Sequence, residues 1–483
     1  MKDFYSFSSK LFATIALILF NSNIYSQDAN DALRLGFAGL SPDARALGMG
    51  DSYIGLSDDA GAAFFNPAGF GLIRKMELSG GLSYDNYGNN TSFLGNSSNY
   101  TASATRLNNL SFVLPFPTVK GSLVFAFSYH TTNDFTSALK FNGFNGKNNS
   151  MIQNLNNGND IDSYIPYDLY LTDTNFVTPI NGHLNQSGTI IGSGETHSWT
   201  FSGAVEAYKN FFIGLNLDFS SGSYDNNNNY YEQDLQGYYS NVQTDPATPA
   251  TRGFQTFYLN RLLDWDITGW DLKLGMLYQL ENARIGLTVQ FPKTYTVKEN
   301  YNVSGYSQFS SGFSPNLDPS YYSYSDQYDI VTPYELGAGF SINLSSLILS
   351  AQATLIDYSQ LKFENANGLS DQDVNSINQS IKDNLKSVIN FNIGAEYTIP
   401  VLGLRLRAGY LRQPSAYQGD NASYDRNYVT GGLGYLIDEA VSIDLAYAHG
   451  WWSDYGDNYG SNESRTYQSI TDDRVILSTT YRF

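Results

Sequence analysis

The chain has 483 residues, no cysteine, and 27 Lys plus Arg against 46 Asp plus Glu, a net charge of −19. The lack of cysteine excludes disulfides, thiolate metal sites and a thiol nucleophile, and the negative balance argues against a nucleic-acid partner. Only 15% of residues are charged while 15% are aromatic, with 38 Tyr and 30 Phe, a combination that suits a membrane barrel with polar loops better than a soluble domain or a secreted β-sandwich array.

Met1–Ser26 reads as a signal peptide, with Lys2 and Lys10 around the start of an apolar core, Leu11–Phe20, and small Ser26 before Gln27. That core is half the roughly 20 residues a spanning helix needs. No later apolar stretch reaches that length without charges, so a membrane location requires a barrel. Residues 27–75 do not alternate. They are rich in small side chains, carry Pro42 and Pro67, and read as a hatch packed inside a lumen, the alternative being an ordinary periplasmic leader.

Residues 76–483 alternate apolar and polar positions and read as the barrel. The predicted strands are Met76–Tyr84, Tyr100–Pro115, Gly121–His130, His197–Tyr208, Phe211–Tyr224, Tyr258–Leu280 and Ala283–Phe309. Tyr328–Asn343, Ser346–Ser359, Ser387–Ile399, Leu402–Arg412, Arg426–Ile437, Ala440–Trp451 and Asp473–Phe483 complete an even set of fourteen. Short connections (Phe116–Lys120, Lys209-Asn210, Glu281-Asn282, Leu344-Ser345, Pro400-Val401, Asp438-Glu439) alternate with long ones rich in Asn, Gly and Ser. The long set includes Thr131–Thr196, Asp225–Phe257, Gln360–Lys386 and Trp452–Asp472. Outer-membrane barrels sort their periplasmic turns and outer loops in this way, and a sandwich has no cause to.

The faces agree. Val475, Leu477, Tyr481 and Phe483 share one side of the last strand, and Leu404, Leu406 and Tyr410 share one side of another while Arg405 and Arg407 take the opposite side. A charge on the lipid face costs about 2–4 kcal/mol at the midplane. In the outer loop Gln360–Lys386, Ser370 and Asp373 form a capping box, and Val374, Ile377, Ile381 and Leu385 recur at helical spacing. That helix either shapes an apolar groove at the mouth or packs on neighbouring loops. The apolar residues of Thr131–Thr196 predict a loop folded back on the rim or lumen.

Certain stretches carry a family resemblance: Ala44–Gly50 (ARALGMG), Asp58-Asp59-Ala60, Phe64–Gly69 (FFNPAG), Thr332–Gly339 (TPYELGAG), Asp357-Tyr358-Ser359 and Leu406–Tyr410 (LRAGY). They resemble the FadL/TodX-type outer-membrane transport proteins. The resemblance implies an all-β fold, a transmembrane antiparallel barrel of about 14 strands with an N-terminal hatch in the lumen. It implies passive, hatch-gated uptake of a hydrophobic molecule, a fatty acid or an aromatic hydrocarbon, with lateral release through the wall. Phe64, Phe65, Asn66, Pro67 and Ala68 would then touch the ligand or the wall. A fatty-acid carboxylate wants a cation in an apolar pocket. The inward candidates are Lys273, Arg284, Arg405 and Arg407, each of which could instead neutralise an inward carboxylate such as Asp218, Glu396 or Asp444.

No cofactor is expected. His130, His183, His197 and His449 have no metal-site spacing, and no nucleophile or phosphate motif occurs. The expected partners are the small apolar ligand, outer-membrane lipid and lipopolysaccharide, around a monomer. Some relatives of this fold in Bacteroidetes-like bacteria serve in protein secretion, so the alternative reading is an outer-membrane anchor for a secretion partner.

Overall fold

The computed structural model describes residues 29–483, apart from residue 38, residues 159–160, residue 439 and residues 461–463. The expected signal peptide lies outside the described residues.

Fourteen antiparallel strands close into a barrel. They are β1 (Glu77–Phe93), β2 (Asn96–Phe116), β3 (Leu123–Asp134 and Ser137–Asn145), β4 (Leu184–Tyr208), β5 (Phe211–Gln233), β6 (Phe254–Gln279) and β7 (Ala283–Gln290 and Thr294–Phe309). Then follow β8 (Tyr324–Val331 and Glu335–Leu344), β9 (Leu347–Asp357), β10 (Ser387–Ile399), β11 (Leu404–Gln413), β12 (Arg426–Ile437), β13 (Val441–Asp457) and β14 (Arg465–Arg482). Closure is direct: β1 pairs β14 from Glu77–Arg482 to Ser92–Tyr467. A short strand, Lys362–Glu364, adds to the upper part of β8.

The strands run much further outward than the alternation predicts. β4 has 25 residues and β5 has 23, where about 9–11 cross a bilayer. On β5, Ile213, Leu215 and Phe219 face out and are exposed, and above them come Ser221, Ser223 and a run of Asn. Past the lipid boundary nothing rewards an apolar outer face, so the pattern fades while the backbone ladder continues. The predicted outer loop between Tyr84 and Tyr100 is therefore two paired strands joined at Leu94-Gly95, and the alternation of short and long connections fails there.

Three strands are broken. In β7 and β8 the interruptions are neighbours, at Pro292 and Pro333, where each ring removes a ladder donor. The ends are stitched by Lys293 N donating 2.9 Å to Thr332 Oγ1 and Thr332 N donating 2.9 Å to Lys293 O. The two stretches predicted as single strands are thus each two pieces.

The break in β3 opens the wall. β2 pairs β3 only from Phe116–Leu123 up to Asn109–His130. Above Asp134, the second segment of β3 pairs β4 alone, from Ser137–Gly192 to Asn145–Leu184. It leans inside β1, whose Asn89 Nδ2 donates to Ala138 O at 2.9 Å and whose Thr91 hydroxyl donates to Lys140 O at 2.5 Å. Residues 96–108 of β2 keep no backbone ladder on that side among the described residues.

The outer mouth is covered. Short helices α3 (Met151–Asn156) and α4 (Ile165–Asp168) bury Met151, Ile152 and Ile165 with Phe93, Phe141, Phe254 and Phe309, so the long loop does fold back on the rim. Helix α5 (Asp371–Asn384) begins on the predicted capping box. Its Ile377 and Ile381, with Leu385 at the cap, are buried against Leu33, Leu361, Phe363 and Tyr328. The packing reading of this helix therefore holds, and no open groove lies along its stripe.

Candidate functional site: the hatch and the luminal cavity

Residues 29–75 thread the lumen. Helix α1 (Ala29–Gly36) lies under α5, with Leu33 and Leu35 buried and the Arg34 guanidinium 4.1 Å from the Tyr224 ring centroid. The chain then descends to α2 (Ala44–Gly48), capped by the Asp43 carboxylate accepting from Arg45 N and Ala46 N. It crosses the barrel near the periplasmic end as two short 3-10 turns, Ala60–Ala63 and Pro67–Leu72, before Met76 joins the wall.

The wall receives this segment in two ways. Inward polar side chains satisfy hatch backbone. Gln352 Oε1 accepts from Tyr53 N and Ile54 N at 2.9 Å each, and Asn392 Nδ2 donates to Gly50 O at 2.9 Å. Asn216 Nδ2 donates to Ala63 O at 2.6 Å, and Ser350 Oγ to Ser52 O at 2.7 Å. Glycines give the room. A Cβ on Gly275 would lie 2.1 Å from Asn66 Oδ1, and one on Gly409 would lie 2.2 Å from Gly50 N. Glycine inside a strand where another backbone approaches is a sequence signal, and it was available at Gly275, Gly394 and Gly409.

Below the hatch lies a closed ion network. Arg45 reaches Asp58 at 2.6 Å, Asp59 at 3.0 Å and Glu396 at 3.0 Å. Arg407 pairs with Glu396 at 2.6 Å and Asp444 at 2.7 Å, and Arg284 with Asp58 at 2.8 Å. Burial pushes the Asp58 carboxyl upward, but Arg45 and Arg284 outweigh it and hold it below the usual carboxylate range. Of the four candidate cations, Arg284 and Arg407 are thus engaged by carboxylates. Arg405 sits near the turn at the start of β11, away from the cavity. Only Lys273 lines it.

Above the hatch is a cavity of about 110 Å³, whose lining shares Phe37 and Asn133 with a wider outer chamber of about 380 Å³. Its floor is Phe64 and Phe65. The Phe64 ring meets Phe65 at 5.0 Å and His130 edge-on at 5.7 Å, and Phe65 packs on Tyr53 at 5.5 Å. Lys273 Nζ donates to Phe64 O at 2.5 Å. Lys293, which sequence reasoning missed because it lies in the β7 interruption, also lines the cavity, as do Asp218, Asp271 and Glu335. The remaining hatch candidates face the wall instead. Asn66 is fully buried, caps the second 3-10 turn, and donates to Ile54 O at 3.0 Å and Met276 O at 3.1 Å. Pro67 starts that turn, and Ala68 packs on Phe212 and Leu277.

The gap above Asn109–His130 is closed by side chains. Arg106 reaches Asp134 at 2.8 Å, Glu195 at 2.6 Å and Thr136 Oγ1 at 2.8 Å. Arg474 joins the cluster through Asp85 and, at 3.4 Å, Asp134.

A closed barrel with an apolar outer belt, a plugged lumen and a cavity above the plug defines an outer-membrane transport protein. The comparisons give its family. The family model described as outer membrane protein transport protein (OMPP1/FadL/TodX) matches residues 195–483, more than half of the chain, and the chain belongs to that family. Among solved structures it is similar to a Pseudomonas aeruginosa FadL homologue (TM-score 0.57, 14% identity, 92% of this chain and 99% of that one). It is also similar to the P. putida toluene transporter TodX (0.55, 15%, 92% and 99%) and the Ralstonia pickettii toluene transporter TbuX (0.50, 16%, 92% and 98%). At these identities the likeness is one of fold. No curated protein matches the sequence.

Proposed function

We propose that the protein is a passive channel that takes a hydrophobic molecule from the cell surface, holds it in the cavity above the hatch, and releases it sideways between β2 and β3. The observation that carries this reading is the combination of a plugged base with an unladdered wall. Straight passage meets a hatch bonded to the wall on several strands, while the gap above Asn109–His130 is held by side chains alone.

Within the ligand classes named for the family, the cavity favours a fatty acid over a plain hydrocarbon. Phe37, Phe64 and Phe65 offer apolar surface, and Lys273 and Lys293 offer charge that a carboxylate would use. Hatch gating would be local: turning the Phe64 ring away from His130 enlarges the cavity without unseating Asn66. The wall continues to face outer-membrane lipid in a single-chain unit, and the reading contains no catalytic step. The domain division, 1–26, 27–75 and 76–483, belongs to the same proposal.

The test exploits the cysteine-free chain. Ser52 Oγ and Ser350 Oγ lie 3.0 Å apart, so Ser52→Cys with Ser350→Cys can lock the hatch to the wall by oxidation. Oleate and toluene uptake is measured in cells lacking their own uptake channels. Sideways release leaves uptake intact in the oxidised variant. Loss on oxidation with recovery on reduction places the exit through the hatch. Wild-type uptake no faster than the empty vector for both solutes defeats transport and favours an anchoring role, which a copurifying secretion partner would support.

A further inference from the structure

Among the described residues, the wall side chains that donate to hatch carbonyls are neutral almost throughout. Asn216 donates to Ala63 O, Asn392 to Gly50 O, Ser341 to Gly55 O and Ser350 to Ser52 O. Arg284 donates to Leu56 O at 3.0 Å, but its charge is met by Asp58. Lys273 is different. Its Nζ donates to Phe64 O and lies 5.7 Å from the Phe64 ring centroid, and no carboxylate among the described residues comes within 4.0 Å of it. Two carboxylates that line the same cavity are engaged by neutral donors: Asp218 accepts from Thr200 Oγ1, and Asp271 from Gln290 Nε2 at 2.6 Å. A full positive charge is thus held on a neutral carbonyl inside the lumen, where an ion partner would lower its energy.

The bond is also local in its effect. On one side of Phe64, Ala63 O is fixed by Asn216, and on the other Asn66 is seated on Ile54 O and Met276 O. Phe64 O is held by Lys273 alone among the described residues. Behind the Phe64–His130 ring pair lies a void of about 20 Å³, lined by Asn109 and Ser111 of β2 and by Ser128 and Tyr129 of β3. Phe64 and His130 line both this void and the cavity above the hatch. Their contact is therefore the partition between the lumen and the inner side of the β2–β3 wall. Letting Phe64 go joins the two spaces and leaves the rest of the hatch seated.

From this geometry we infer that Lys273 is a latch released by the ligand's own carboxylate. An ammonium takes a carboxylate over a neutral carbonyl where water is scarce, since both partners then carry charge. Lys293, on the same cavity, adds a second positive charge that draws the acid in. Once the acid holds Lys273, Phe64 loses its backbone anchor, its ring leaves His130, and the floor opens toward β2 and β3. A hydrocarbon of similar size fills the cavity and leaves the latch shut. Lys273 thereby selects acids over hydrocarbons at the opening step as well as at binding. The inference rests on the proposed sideways transport and assigns its trigger.

The test uses the full chain in phospholipid nanodiscs, with a fluorinated phenylalanine installed at Phe64 and read by fluorine NMR. Oleate is compared with methyl oleate, which keeps the chain and lacks the charge. Binding of each is measured separately by equilibrium dialysis against empty discs. Oleate is expected to move the Phe64 resonance, and methyl oleate to bind and leave it in place. In Lys273→Met the resonance should stand at the released position before any ligand is added, and oleate should bind about tenfold more weakly, through loss of one bond between charges. The comparison of acid and ester needs no variant, so poor folding of Lys273→Met does not shield the inference. It is overturned if the ester moves Phe64 as far as the acid does, if oleate binds with Phe64 unmoved, or if folded Lys273→Met keeps the unliganded wild-type resonance. Oleate bound with Phe64 unmoved leaves transport itself standing, whereas no binding of either molecule defeats transport and latch together.

Discussion

Gly275→Ala probes how tightly the hatch is seated. The added methyl would stand 2.1 Å from Asn66 Oδ1, 2.9 Å from Pro67 Cδ and 3.0 Å from Ala68 N. Ordinary contact begins near 3.4 Å, so the hatch must retreat by more than about 1 Å at this point. That retreat breaks the 3.1 Å bond from Asn66 to Met276 O and strains the 3.1 Å bond from Ala68 N to Asn66 Oδ1. Overpacking costs about 1–3 kcal/mol and each lost bond about 0.5–1.5, so hatch seating weakens by about 2–4 kcal/mol. By hydrogen exchange, hatch amides from Gly50 to Gly69 should then exchange roughly 30- to 800-fold faster while strand amides stay protected. Gly203→Ala is the matched control, since its Cβ would meet only Phe125 atoms at 3.6 Å and beyond. Equal hatch exchange in the two variants would refute the glycine-groove argument.

Arg45→Ala strands Asp58, Asp59 and Glu396 and should cost about 3–5 kcal/mol of hatch stability, read by the same exchange or by limited proteolysis. Burial pushes Asp51 up to about 7, against an accepted bond from Ser41 N and the Arg474 charge. A raised acid favours the protonated fold, so this contribution is full below about pH 3.9 and lost as pH rises through 7. Hatch protection should fall from pH 5 to pH 8, and Asp51→Asn should flatten that slope. Arg106→Ala removes the bridge across the β2–β3 gap and should raise oleate uptake while admitting bulkier probes. Unchanged rate and range would count against a sideways exit. Ser370→Ala removes the α5 cap and should cost about 1 kcal/mol in local exchange of that helix.

The barrel was legible because lipid imposes a rule on every outward side chain. Leu406, Tyr447 and Leu477 are all outward and exposed, and alternation places them so. Where lipid ends the rule ends, and the polar upper halves of β4 and β5 were hidden for that reason. The hatch was legible as a motif, but its division of labour was not. Phe64 and Phe65 face the cavity while Asn66 to Ala68 face the wall, and that follows from a turn begun at Asn66 rather than from residue type. Among the cations, spacing put Arg284, Arg407 and Lys273 alike inside. Depth separates them, because the hatch lies between, and depth depends on where the lumen chain crosses. Lys293 escaped because Pro292 removes it from the strand period.

The seating of the hatch bears on how such a channel can work. Releasing it whole would break the bonds from Gln352, Asn392, Asn216 and Ser350 and part the ion pairs Arg45–Glu396 and Asp58–Arg284. At about 1 kcal/mol per neutral bond and several for the buried charge, that is on the order of 10 kcal/mol. A passive channel has only the ligand's binding free energy to spend, and a micromolar ligand supplies about 8 kcal/mol in total. Moving Phe64 off His130 forfeits one ring pair, about 0.5–1.5 kcal/mol. Parting Arg106 from Asp134, Glu195 and Thr136 costs several kcal/mol, since the guanidinium is largely buried, and that still falls below the cost of unseating the hatch. Without an energy source, the small rearrangement is the one the ligand can drive. The proposed sideways path therefore rests on the unequal strength of the two barriers as much as on the shape of the wall.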